Sequence, residues 1–171
     1  MDVVPHIHLS RPVNKQLILS KIIGQLEEEM ELYRRAAKAA FEEATSEQSK
    51  AENKYDTRGL EASYLARGQA RQVAETEEAL IQLRGLASAA SHTPTAIGQG
   101  TLVEMEQDKE RFWYFIAPCA GGTEIRHANK EILVLTPHSP LGRELVGKRA
   151  GDAVTLMLAG KPQRQKVVNV S

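Results

Sequence analysis

The run Tyr55-Asp56-Thr57-Arg58-Gly59-Leu60-Glu61-Ala62-Ser63-Tyr64-Leu65 is unusually specified for a chain reversal. It holds two carboxylates, Asp56 and Glu61, with Arg58 between them and Lys54 and Arg67 on either side. Each carboxylate has an ordinary structural job on offer. Asp56, or Thr57 in competition with it, can cap a helix that begins here, and Glu61 then sits in the first turn, where its charge suits the helix dipole. The other reading has both side chains converge on a shared partner, which needs a turn of a particular shape. The neighbouring cations make the tip mixed in charge rather than acidic. That composition opposes recruitment of a metal ion and suits contact with phosphates or carboxylates.

The remaining reactive residues offer less. Cys119 is the only cysteine, which excludes an internal disulfide and a multi-cysteine zinc site. With no Cys-His signature around it, a buried or half-buried structural thiol is the expectation. His6 and His8 would ligate a metal on a strand, but no further ligands lie near them, and the 1–12 segment with Pro5 reads as an irregular arm. There is no glycine-rich nucleotide loop and no nucleophile motif, so an enzyme in its own right is not expected.

The elements that position the tip follow from periodicity. From about residue 13 to 53, Leu19, Ile22, Leu26, Met30, Tyr33, Ala37, Ala40 and Ala44 recur at spacings of three and four. A second helix is expected from about 60 to 87, with Leu60, Leu65, Val73, Leu80, Leu83 and Leu86 inward. The short connection at 54–59 forces the two helices antiparallel, giving a coiled-coil hairpin over 13–90. Large apolar residues cluster near its base, leaving a polar end. After a small-residue linker at 91–96, strand patterns begin. Five strands are expected at 100–105, 111–117, 131–136, 153–158 and 166–170, with turns at 107–109 and 160–162 and a short helix at 140–146. This 97–171 unit is expected to be a small antiparallel sheet packed around Trp113, Phe115, Ile132, Leu141, Leu145 and Val154. The fold class is α+β.

Composition sets the outer limits. The chain has 171 residues, 42% hydrophobic and 26% charged, and 22 basic residues balance 22 acidic ones. That balance argues against binding nucleic acid through a generally basic surface, and no sequence-specific DNA binding is expected. No apolar run approaches the ~20 residues that span a bilayer, and a cytoplasmic, membrane-free protein is expected.

The segment Thr136-Pro137-His138-Ser139-Pro140-Leu141-Gly142-Arg143-Glu144-Leu145-Val146-Gly147-Lys148-Arg149-Ala150-Gly151-Asp152-Ala153-Val154 closely resembles the C-terminal signature of the bacterial Gre transcript-cleavage factors. The resemblance extends over 13–171, because that family also places an antiparallel coiled coil before a small domain of FKBP-like fold. It implies binding to RNA polymerase through the secondary channel, with Ser139, Pro140, Leu141, Gly142 and Asp152 as docking candidates. The tip would approach the active centre and the nascent RNA 3′ end, bringing in Tyr55, Asp56, Arg58 and Glu61. It also implies no tightly bound cofactor, and a Mg²⁺ shared with the polymerase, for which Asp56 and Glu61 are the available ligands. An accessory monomer is expected, any cleavage being done by the polymerase.

The tip departs from the family pattern of an aspartate, a glutamate three residues on, an asparagine and a later tyrosine. Anchored on Asp56, the glutamate position is Gly59; anchored on Tyr64, the acidic positions are Thr57 and Leu60. Cleavage support therefore competes with a regulator that fills the channel and inhibits. Two other classes stay open: an FKBP-like isomerase or chaperone, and a coiled-coil adaptor that dimerises.

Overall fold

A computed structural model describes residues 14–46, 57–89, 94–158 and 160–171. The expectations on His6, His8, Lys54, Tyr55 and Asp56 lie outside the described residues.

Asn14 opens the first helix, α1 (Lys15–Thr45), its side chain accepting the Gln16 N–H at 3.0 Å. The helix stops well before residue 53. The Thr45 hydroxyl donates to the Phe41 carbonyl at 2.8 Å and the Ser46 hydroxyl to that of Glu43 at 3.1 Å, while the Ser46 backbone turns extended at ψ 147°. Paired hydroxyls that bind their own backbone compete with helix continuation. The second helix, α2 (Arg58–Ala89), starts slightly earlier than the periodicity suggests. At 1.5 Å per residue both helices run about 47 Å, and they pack side by side as an antiparallel hairpin.

The α1 seam is the one expected, from Leu19 and Ile22 through Tyr33 to Ala40 and Ala44. The α2 seam differs from expectation. Its inward positions are Gly59, Ala62, Ala66, Gln69, Val73, Thr76, Leu80 and Leu83, again spaced by three and four. Leu60 and Leu65 are 55% and 54% exposed. Following the leucines down from Val73 leaves the heptad, whereas strict spacing leads to the small residues. Ion pairs confirm the sides of the seam. Arg34–Glu77 and Arg84–Glu27, each at 2.6 Å, join residues that follow a seam position, on one side. Arg58–Glu43 at 3.1 Å joins residues that precede one, on the other.

The sheet comprises β1 (Leu102–Gln107), β2 (Glu110–Ile116), β3 (Glu124–His127), β4 (Lys130–Leu135), β5 (Ala153–Leu158) and β6 (Lys161–Val170), in the order β3-β4-β2-β1-β6-β5. Tight two-residue turns with positive φ close β1–β2 at Asp108-Lys109 and β3–β4 at Ala128-Asn129. Strand β3 is the one the sequence pattern missed, four residues with only Ile125 buried. Its presence corrects the expected antiparallel sheet. Two reversals, rather than one, separate β2 from β4, so this pair runs parallel while the other pairings are antiparallel. The last strand begins at Lys161, with Pro162 opposite Met157 inside the β5–β6 pair rather than in a turn.

The expected single core is two cores, one on each face of the sheet. Strand alternation sends Val103, Met105, Tyr114, Ile116 and Val167 to one face, where Leu145 and Val154 join them and Leu141 packs alongside. Phe115, Ile132, Val134, Ile125 and Leu102 point to the other face. There they meet Ile18, Leu19, Ile22 and Leu83 of the hairpin base, with Trp113 at the margin. The hairpin base is thus part of the sheet's own core. Lys21 Nζ adds a polar tie, donating to the Arg126 carbonyl of edge strand β3 at 2.6 Å.

Cys119 sits at this junction, its thiol directed at the Ala79 carbonyl of α2 at 3.5 Å, and partial burial pushes its pKa up. The folded thiol therefore keeps its proton to higher pH than the unfolded one. Stability is expected to fall as pH rises through the ordinary thiol range, and a Cys119→Ser chain, compared by urea unfolding at pH 7 and 9.5, should show a smaller fall. Equal slopes would remove the thiol from the account.

Candidate functional site

Two places carry candidate functional residues, the free end of the hairpin and the 136–154 segment. At the hairpin end, the Thr57 hydroxyl donates to Glu61 Oε1 at 2.7 Å, and the Glu61 N–H donates to the Thr57 carbonyl at 2.9 Å. Glu61 is thus held in the first turn of α2, near the positive end of the helix dipole. Arg58 Nε donates to Glu43 Oε1 near the end of α1 at 3.1 Å. Glu43 was not among the residues singled out from the sequence. The register of the seam would have found it, because Glu43 and Arg58 both precede a seam position. Beside this pair the seam is built of Ala40, Ala44, Gly59 and Ala62, so among the described residues no large apolar side chain fills the seam at this end.

Glu61 and Arg58 are therefore together at the neck of the tip; Tyr55 and Asp56 lie outside the described residues. Among the described residues no group of three or more His, Cys, Asp or Glu is placed to hold a metal ion. Glu61 retains lone pairs facing solvent, so its carboxylate fits a hard cation as one ligand of a shared set, at the cost of competing with Thr57.

In the 136–154 segment, each docking candidate is engaged in building the fold. A helix α3 (Pro140–Leu145) is capped by Ser139, whose hydroxyl accepts the Gly142 N–H at 3.0 Å and donates to the Thr136 carbonyl at 2.8 Å. Pro140 occupies the first helical turn and is exposed. Leu141 is half-buried against the α3-side core. Gly142 is buried where a β-carbon would collide with the Thr136 carbonyl oxygen. Asp152 closes the following turn, Oδ2 accepting the Arg149 N–H at 2.8 Å, with Gly151 at φ 97° beside it. The α3 end is tied to the start of the domain through Gly147 N–H to the Ile97 carbonyl, 2.8 Å. At the surface the segment leaves His138, Pro140, Arg143, Glu144 and the run 146–153, in which Val146 is 40% exposed.

Neither a family model nor a curated protein matches the chain. Among solved structures it is similar to GreA factor homolog 1 (Gfh1) of Thermus thermophilus, at 21% identity over 87% of this chain and 94% of that one, with a TM-score of 0.38. It is similar to Thermus aquaticus Gfh1 at 25% identity over 88% and 92%, TM-score 0.38. A further structure, of the transcription factor Gfh1, matches at 20% identity over 86% and 92%, TM-score 0.38. At that score the superposition is partial. The functional reading rests on the chain's own residues.

Proposed function

We propose that the chain is a Gre-like transcription elongation factor that binds RNA polymerase at the secondary channel and directs its hairpin tip toward the active centre. The observation that carries the reading is a hairpin of about 47 Å of which the base packs on the domain that bears the 136–154 segment. Among the described residues, the distal half packs helix on helix, through Ala40 and Ala62, rather than on the domain. It is free to act at a distance from the docked domain. No helix among the described residues is long and apolar enough to cross a membrane, which suits a partner in solution.

The factor is an accessory, and any RNA cleavage belongs to the polymerase and its Mg²⁺. Between cleavage support and plain occupation of the channel, the bonding at the neck of the tip favours occupation. Glu61 is already bonded to Thr57, and the nearby Arg58 guanidinium disfavours a second cation. An isomerase reading has less to stand on, since Tyr114 and Phe115 are 6% and 1% exposed and packed in the two cores, and the depression beside Phe112 and Trp113 is also lined by the charged Arg111, Glu124 and Glu131.

The test is a backtracked elongation complex with the purified chain added. The expected outcome is slowed nucleotide addition with no faster RNA shortening, and the same result for Glu61→Gln. Faster shortening that Asp56→Ala and Glu61→Gln each abolish would overturn occupation in favour of cleavage support. Absence of any effect, with no binding to polymerase, would refute the function itself.

A further inference from the structure

The distal hairpin is inverted relative to an ordinary coiled coil. Beyond Tyr33 on α1 and before Val73 on α2, the large apolar or aromatic side chains among the described residues are Phe41, Leu60, Tyr64 and Leu65. All four face outward, at 62%, 55%, 65% and 54% exposure, while Ala and Gly fill the seam between them. Single exposed apolar residues are common on any surface. Here, however, the whole large-residue content of the segment is outside, within about 12 Å of the helix ends.

Their placement around the hairpin identifies the kind of partner. Phe41 follows the seam residue Ala40, on the side where Arg34 pairs with Glu77. Leu65 precedes the seam residue Ala66, on the opposite side, where Arg58 pairs with Glu43. Leu60 and Tyr64, one helical turn apart, lie on the back of α2. A flat partner surface, or a second copy meeting one face, covers one side of the hairpin and leaves the other wet. Burying all four side chains requires walls on at least three sides.

We propose that Phe41, Leu60, Tyr64 and Leu65 form an apolar collar that seats the distal hairpin inside a protein passage with apolar walls. The proposal rests on the function proposed above, in which that passage is the polymerase channel. The collar, rather than the charged tip, then supplies the contact that holds the tip at a fixed depth. The small-residue seam serves the same end, since a narrow hairpin enters a passage that a Leu-filled one would block.

Alkylation in a Cys119→Ser chain tests the enclosure directly. Phe41→Cys and Leu65→Cys are made singly and treated with iodoacetamide with and without purified RNA polymerase. Enclosure predicts at least a tenfold slower reaction of both thiols in the complex. Protection of only one, or of neither while the complex forms, would overturn the collar and leave the polymerase reading standing. Failure of the parent chain to bind polymerase would instead bring down that reading, and this partner with it. In a second arm, Phe41→Ser combined with Leu65→Ser should weaken polymerase binding at least tenfold with a melting temperature changed little, because both side chains are mostly exposed. Unchanged affinity would refute the collar.

Discussion

Leu83→Ala is expected to destabilise the chain by about 3–4 kcal/mol, toward the upper part of the range for a buried leucine. Leu83 is fully buried where α2 meets α1 and the sheet at once, among Ile18, Ile22, Phe115 and Ile132. The cavity left behind has walls from both helices and from the sheet, so no single element can move in to fill it. Urea unfolding measures the loss. Ile81→Ala, two residues away and 64% exposed, is the control and should change stability by less than about 0.5 kcal/mol. A Leu83→Ala loss below about 1 kcal/mol would mean that the hairpin base is not part of the sheet's core. The same variant should weaken any effect on polymerase, because a hairpin loosened from its domain no longer carries its tip to a set position.

Gly142→Ala is the second large effect. The added β-carbon runs into the Thr136 carbonyl oxygen, which is itself held by the Ser139 hydroxyl. Relief demands that α3 shift off the sheet, with a cost on the order of 1–3 kcal/mol for overpacking and loss of the Ser139 cap besides. Thermal unfolding measures it; an unchanged melting temperature would show that the loop yields freely. Pro140→Ala separates architecture from docking. Pro140 is exposed, so its replacement should leave stability within about 0.5 kcal/mol. If residues 136–154 face the polymerase, that variant nevertheless weakens binding. If it leaves binding unchanged, the segment serves the fold alone.

Much of this protein was legible in the residue order, and the limits have identifiable causes. The α1 seam was read position by position, because a three-four pattern of apolar residues is a local property of one helix. The short helix expected at 140–146 was legible from local residues as well, and the structure forms it as α3. The distal half of α2 was misread because its seam consists of Gly, Ala and Gln, which carry no hydrophobic signal, while Leu60 and Leu65 carry a strong one and face water. Strand β3 was missed because an edge strand with one buried residue, Ile125, shows no alternation to detect.

The candidate site divides in the same way. Residue types alone placed Glu61 in a first turn and set Arg58 among the carboxylates. That Glu61 would be taken by Thr57, and Arg58 by Glu43 fifteen residues back, depends on how two helices meet. Periodicity by itself determined that this chain makes a long antiparallel hairpin followed by a strand-rich domain with a short helix. Only the tertiary structure decided that the sheet is mixed, that it has a core on each face, and that the hairpin base fills one of them. The reason is physical: alternation tells which side chains of a strand leave water together, but what covers them is settled by segments distant in sequence.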